Sequence, residues 1–234
     1  FTITHLLCLM QGSEVVFLGK PPATTILMRA FKEVRPHVIL TVPLLIEKIY
    51  KAAVVPTLRD NPKISKLYKN PLTKWIVLKT VKAKLISTMG GCMKFFGIGG
   101  APLDSTVWDF LYSCHFPYAL GYGLTETSPL IAGCGPKHKM HKKGYIGKPV
   151  KHDDVILLDK NEEGVGEIAV KGPNVMTGYY NNEELNKEVF TPEGYFKTGD
   201  LGYIDKHGYL SIRGRVKTMI LGPAGENIYP ESIE

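Results

Sequence analysis

The first two thirds of the chain alternates amphipathic helix patterns with short β-branched runs. Residues 24–35 set Ile26, Leu27, Ala30 and Phe31 on one helical face, and Pro36 ends that element. His37-Val38-Ile39-Leu40-Thr41-Val42 then reads as a buried strand. Pro43 suits the first turn of a helix, whose period continues over residues 44–55. Residues 56–73, punctuated by Pro56, Asn61-Pro62 and Asn70-Pro71, read as a polar connection. Residues 74–88 return to a helix, with Ile76, Leu78, Val81 and Leu85 as its core stripe and Lys74, Lys79, Lys82 and Lys84 as a solvated face. Strands at 93–98 and 118–120 flank a helix at 106–113. Such repeated alternation predicts an α/β fold with a parallel sheet.

After residue 144 the pattern changes to glycine-spaced, short alternating runs at 155–158, 166–170 and 209–213. These predict a small β-rich, barrel-like subdomain with tight turns such as Lys206-His207-Gly208, and one short helix at 182–188. The expected organisation is an α/β subdomain over 1–144 and a β-rich subdomain over 145–214.

Composition narrows the class. At 234 residues, 44% hydrophobic and 22% charged, the chain is of ordinary globular make-up, which excludes disorder, collagen and coiled coil. No apolar run approaches the roughly 18 residues of a membrane span. Phe1-Thr2-Ile3-Thr4-His5 has no basic segment and no Met, so it reads neither as a signal peptide nor as a native start. Cys8, Cys92, Cys114 and Cys134 are widely spaced without a CxxC, which argues against zinc and disulfide frameworks and for a reducing, cytoplasmic setting. The net charge of +7 is uneven, with 20 Lys/Arg against 7 Asp/Glu in residues 1–150 and 9 against 15 afterwards. A basic half suits nucleic acid, acidic membrane or a polyanionic small ligand.

Four segments could carry chemistry. Gly97-Ile98-Gly99-Gly100-Ala101-Pro102-Leu103 ends a strand and opens a helix that Asp104 or Ser105 could cap. Its small residues leave backbone open to a flat ligand, although a turn that only connects two elements has the same composition. Leu120-Gly121-Tyr122-Gly123-Leu124-Thr125-Glu126-Thr127 sets an aromatic between two glycines, then a hydroxyl and a carboxylate suited to phosphate and a hard cation. Two such loops at successive strand ends would face one crevice. Tyr195-Phe196-Lys197-Thr198-Gly199-Asp200-Leu201-Gly202 places Asp200 in a Gly-flanked turn, where it could take both hydroxyls of a ribose. Gly214-Arg215-Val216-Lys217 follows a strand, precedes Gly222-Pro223-Ala224-Gly225, and lets Arg215 reach ribose or phosphate.

Taken together and in order, these segments resemble the adenylate-forming superfamily of acyl-CoA synthetases, luciferases and peptide-synthetase adenylation domains. The resemblance covers essentially the whole chain and includes Gly166-Glu167-Ile168-Ala169-Val170-Lys171-Gly172-Pro173-Asn174-Val175-Met176-Thr177-Gly178-Tyr179-Tyr180. Thr41 to Tyr50 and Gly222 to Pro230 look like the long-chain fatty-acid–CoA ligase branch. An acyl-carrier-protein or aryl-acid ligase of the same superfamily is the alternative.

The resemblance implies activation of a carboxylate with ATP and Mg²⁺, release of pyrophosphate, and transfer of the acyl group from its adenylate to coenzyme A. Gly99, Gly100, Ala101 and Pro102 would lie along one face of the adenine and Tyr122, between Gly121 and Gly123 and ahead of Leu124, along the other. Thr125 would bind the α-phosphate and Glu126 the Mg²⁺. Asp200 would hold the ribose hydroxyls and Arg215 ribose or phosphate. Lys217 would be the hinge, with residues 215–234 leading into a small C-terminal domain. The family's Ser/Thr/Gly-rich phosphate loop and its C-terminal catalytic lysine have no counterpart here, so the expectation is a truncated piece that does not adenylate alone. Fatty acid, ATP and coenzyme A are the implied small-molecule partners, with the lysine face as a candidate for peripheral contact with acidic lipid at the inner face of the membrane; the basic loop 137–143, with His138 and His141, reads as a solvated, mobile loop, against contact with coenzyme A phosphates or acidic lipid. A nucleic-acid-binding module is the reading of another class; it lacks the expected interleaving of aromatics with Lys/Arg.

Overall fold

The computed structural model describes residues 6–19, 23–217, 220–221 and 227–228. The segment Gly222-Pro223-Ala224-Gly225 lies outside them. The described chain forms two units, one of residues 1–120 and 135–143, the other of 121–134 and 144–234.

The first unit holds α1 (Cys8–Met10), α2 (Thr24–Val34), β1 (Val38–Thr41), α3 (Pro43–Ile49), α4 (Val55–Arg59), α5 (Pro62–Lys69), α6 (Pro71–Thr88), β2 (Phe95–Gly99) and α7 (Ser105–Ser113). It also holds the start of β3 (Tyr118–Tyr122). β1 and β2 pair in parallel, Val38 with Phe95 through Thr41 with Ile98. Phe96, Gly97 and Ile98 are consecutively buried, as expected of a parallel strand covered on both faces.

Three helical details differ from the sequence reading. The period begun at Pro43 runs on through a π-helical stretch, Tyr50–Val54, into α4. The connection expected over 56–73 is largely helical. Asn61 accepts from the backbone N–H groups of Lys63 and Ile64, and Asn70 from Leu72. Each Asn-Pro pair is therefore an N-cap followed by a first-turn proline, rather than a breaker. On α6 the buried face is Val77, Leu78, Val81 and Leu85, while Ile76 is exposed.

The second unit begins with the end of β3, where Gly121 and Tyr122 pair antiparallel with Gly133 and Ala132 of β4 (Ala132–Gly133). β4 pairs in turn with β5 (Lys148–Pro149). An antiparallel meander follows: β6 (Asp154–Leu158), β7 (Gly166–Lys171), β8 (Phe196–Ile204) and β9 (Leu210–Arg215), with α8 (Glu183–Val189) between β7 and β8. β10 (Ile220–Leu221) and β11 (Asn227–Ile228) form a separate two-stranded ladder. Ile131, Ala132, Ile168, Val170, Phe196 and Leu210 make the core, against which Tyr122 and Leu124 pack. The Asp205 side chain accepts from the N–H groups of His207 and Tyr209, closing the Lys206-His207-Gly208 turn.

β8 was not expected. Asp200 sits inside this nine-residue strand, not in a free turn. Gly199 takes φ +73°, open to glycine without strain, and the β8–β9 register shifts between Leu201 and Gly202. Glycines that read as turn signals thus mark an irregular strand.

Candidate nucleotide site

In the first unit, the segment Gly99-Gly100-Ala101-Pro102 stands where β2 gives way to α7. Gly99 ends the strand, and Gly100 turns the chain at φ +86°. Gly100, Ala101 and Pro102 are exposed. Asp104, not Ser105, caps α7 by accepting from Val107 N–H at 3.0 Å. Its own N–H donates to Glu47 Oε1 at 3.1 Å, which holds the loop's far end to α3.

The second unit brings Tyr122, Asp200 and Arg215 together. The Tyr122 phenol donates to Asp200 Oδ2 at 2.7 Å, and Arg215 Nε lies 3.0 Å from Asp200 Oδ1. The Asp200 N–H donates to Thr198 Oγ1. The Gly199 N–H donates to Glu167 Oε1, and Gly199 O accepts from Val216 N–H. Asp200 is 5% exposed. Burial, then the Asp200 charge, pushes the Tyr122 phenol well above its usual pKa, so it remains a hydrogen-bond donor across the physiological range. A carboxylate has about four acceptor positions, and two donors leave room for the hydroxyls of a sugar.

Past Tyr122 the chain makes a 3₁₀ turn over Thr125–Thr127. Thr127 is fully buried; its hydroxyl accepts from Leu124 N–H at 3.0 Å and donates to the Pro129 carbonyl at 2.9 Å. Thr125 is thereby left exposed at the turn's outer edge. Glu126 is half-buried, and its Oε1 accepts from the Tyr179 phenol at 2.8 Å. Gly123 is needed for close approach: a Cβ there would sit 1.6 Å from Pro129 O. Lys217 is exposed in the turn after β9.

The segment 166–180, to whose residues the sequence assigns no individual roles, backs this turn. Asn174 Nδ2 lies 2.9 Å from the carbonyls of both Thr127 and Leu130 and 3.0 Å from Asp153 Oδ2. Met176 N–H donates to Glu126 O at 2.7 Å. Gly178, which precedes Tyr179, takes φ +150°.

Glu126 suits Mg²⁺, which usually takes one or two protein carboxylates plus substrate phosphates and water. Among the described residues only its Oε1 is engaged, and no group of three or more His, Cys, Asp or Glu could form an all-protein metal cage. Nor is any helix of the described residues long and apolar enough to cross a membrane.

The α/β sheet with parallel strands and the second, small antiparallel sheet match the N-terminal domain of adenylate-forming enzymes. The AMP-binding enzyme family model matches residues 1–180, and the chain belongs to that family. It is 37% identical over 166 residues to a 2-succinylbenzoate–CoA ligase of Bacillus licheniformis, covering 68% of this chain and 34% of that enzyme. It is also 37% identical over 156 residues to a long-chain-fatty-acid–CoA ligase of Mycobacterium bovis, covering 67% of this chain and 25% of that enzyme. The chain thus spans about a third or less of these relatives' length. Among solved structures, O-succinylbenzoate coenzyme A synthetase from Bacillus subtilis in complex with ATP and magnesium ion matches with a TM-score of 0.70 and 25% identity, over 98% of this chain and 42% of that one. ATP-bound MatB from Rhodopseudomonas palustris matches with a TM-score of 0.70 and 26% identity, over 99% and 40%.

Proposed function

We propose that this chain is a nucleotide-binding part of an ATP-dependent, AMP-forming carboxylate–CoA ligase, which joins a carboxylic acid to AMP with loss of pyrophosphate and then to coenzyme A. The observation that carries the reading is the meeting of Tyr122, Asp200 and Arg215, drawn from β3, β8 and β9, around one buried carboxylate. The solved relatives that bind ATP with magnesium, or AMP, support it.

In this reading Asp200 accepts the ribose hydroxyls, held rigid by its two donors. Arg215, whose side chain is 63% exposed beside Asp200, would reach ribose or phosphate. Tyr122, flanked by Gly121 and Gly123 and followed by Leu124, offers its ring to the adenine; in the first unit, Gly99 to Pro102 leaves backbone exposed to a flat ligand. Thr125 donates its hydroxyl to the α-phosphate. Bound at Glu126, Mg²⁺ would offset the repulsion between the attacking carboxylate and the phosphates. Lys217 serves as the hinge into residues beyond β9. Adenylation makes AMP the leaving group, so thioester formation needs no nucleophilic side chain.

The acid is a fatty acid on the likeness of residues 41–50 and 222–230 to that branch, and the mycobacterial relative supports this. A second reading, an aryl acid such as 2-succinylbenzoate, is favoured by the Bacillus relatives. Acid-dependent exchange of pyrophosphate into ATP by the complete ligase separates them. Exchange that rises through a fatty-acid length series fits the first, exchange confined to aryl acids fits the second, and exchange with neither would overturn the ligase reading.

A further inference from the structure

We infer that Tyr179 is a positioning residue for Glu126: anchored through Asn186, its phenol fixes the carboxylate that meets the nucleotide's divalent cation. The inference rests on the adenylating reading above and concerns what makes that single carboxylate usable.

Glu126 lies on a three-residue 3₁₀ turn, and its side chain has three rotatable bonds. A side chain of this kind loses rotamer freedom when it must hold one geometry. Mg²⁺ demands near-octahedral geometry and accepts few protein ligands, so a lone carboxylate that wanders serves it poorly. Here the wandering is removed by one short segment. The Tyr179 phenol donates to Glu126 Oε1 at 2.8 Å, and Met176 N–H donates to the carbonyl of the same glutamate at 2.7 Å. Asn174 ties the carbonyls of Thr127 and Leu130 to the same segment. Glu126 is therefore held at both its backbone and its carboxylate.

Tyr179 is itself held. The Asn186 side chain accepts from Tyr179 N–H at 2.7 Å and donates to Tyr179 O at 2.9 Å, a reciprocal pair between α8 and the loop. A Cβ on Gly178 would lie 3.0 Å from the Asn186 amide, so the approach depends on glycine there. A hydrogen bond to a carboxylate is stronger than one between neutral groups. With Oε1 engaged, the carboxylate is held in one orientation for the cation it would ligate.

The test is the Mg²⁺ concentration that half-saturates ATP binding, measured by calorimetry with Tyr179→Phe. The expected result is a midpoint raised about tenfold, the size typical for loss of a partner behind a metal ligand, with metal-free AMP affinity unchanged. Glu126→Gln raises the same midpoint, and the double variant matches Glu126→Gln alone, because Tyr179 acts through Glu126. Asn186→Ala, which keeps the phenol but frees its backbone, raises the midpoint by a smaller factor and serves if Tyr179→Phe does not fold. A raised midpoint for Glu126→Gln with none for Tyr179→Phe or Asn186→Ala overturns the positioning role alone. An equal loss of AMP and Mg²⁺–ATP affinity marks a structural role and also overturns it. An unchanged midpoint in Glu126→Gln overturns the reading beneath it.

Discussion

Asp200 and Arg215 are register partners across β8 and β9, and the guanidinium Nε lies 3.0 Å from the carboxylate. Their surroundings differ sharply, with side chains 8% and 63% exposed. The carboxylate is the buried member and depends on its donors, whereas Arg215 keeps much of its guanidinium in water. The pair is worth less as an exposed ion bridge than as a means of orienting Asp200. Asp200→Ala leaves the buried Tyr122 phenol without its acceptor, at a cost of roughly 1–3 kcal/mol. Thermal unfolding is expected to fall by about 2–4 °C per kcal/mol in a chain of this size. Arg215→Ala is expected to change it much less, and equal losses in the two variants would contradict the asymmetry.

Glycines in the two loops act for different reasons. A Cβ on Gly123 collides with the Pro129 backbone at 1.6 Å, whereas one on Gly100 meets nothing closer than Val42 Cγ1 at 3.9 Å. Gly100→Ala therefore suffers only its φ of +86°, about 1 kcal/mol. Gly123→Ala must displace backbone at the Thr125–Thr127 turn and is expected to cost several times as much, about 3 kcal/mol or more. Denaturant unfolding of the two variants checks the order.

The loop 135–143 gives the first unit a pH dependence. The His138 ring stacks on His115 with centroids 3.6 Å apart, and His141 packs edge-on against Tyr118 while bonding to Gly135 O at 2.7 Å. Tyr112 also contacts His138, and Lys143 is paired with Asp109. Burial, then the charges of His115 and Lys82, lowers the pKa of His138; burial first, with His138 adding, lowers that of His141. Above about pH 7.5 both rings are neutral in folded and unfolded chains and contribute nothing. As pH falls through about 6.5 the unfolded chain takes up protons that the folded one resists, so stability is lost toward the depressed folded values. The thermal midpoint should fall more steeply between about pH 7.5 and 5.5 in the natural chain than in His138→Gln/His141→Gln. Parallel slopes would refute this origin.

Cys114 is buried, and desolvation pushes its thiol up to about 11. Since the thiolate is the reactive form, a native-state label is expected to spare Cys114 and modify it only after unfolding, whereas Cys92 and Cys134 are partly accessible. Mass mapping after brief alkylation near neutral pH reads this directly.

Local signals carried much of the fold. Helix α2, the Pro43 start and the β1 and β2 strands follow from periodicity and helix-start chemistry, and of the two caps left open, Asp104 and Ser105, Asp104 is the one used. Where reading failed, one residue type had two meanings. Asn61-Pro62 and Asn70-Pro71 begin helices as readily as they interrupt them, and Gly199 and Gly202 sit within a strand as readily as in a turn. The resemblance sets Tyr122, Asp200 and Arg215 around one nucleotide, but a separation of 78 positions hid the direct bond between Tyr122 and Asp200. Tyr179 and Asn174 gave still less, because their partners lie 53 and 44 to 47 positions away, and only the folded β-rich unit brings them together.

The central claim is that Tyr122, Asp200 and Arg215 form the ribose end of an adenylate site. It is tested most directly by titrating AMP into the 234-residue chain and its Asp200→Ala variant by calorimetry. The account predicts saturable binding by the natural chain, weakened about tenfold or more when the carboxylate is removed, in line with loss of charge-assisted hydrogen bonds. Equal AMP affinity in the two proteins, or no saturable binding in either, would contradict it.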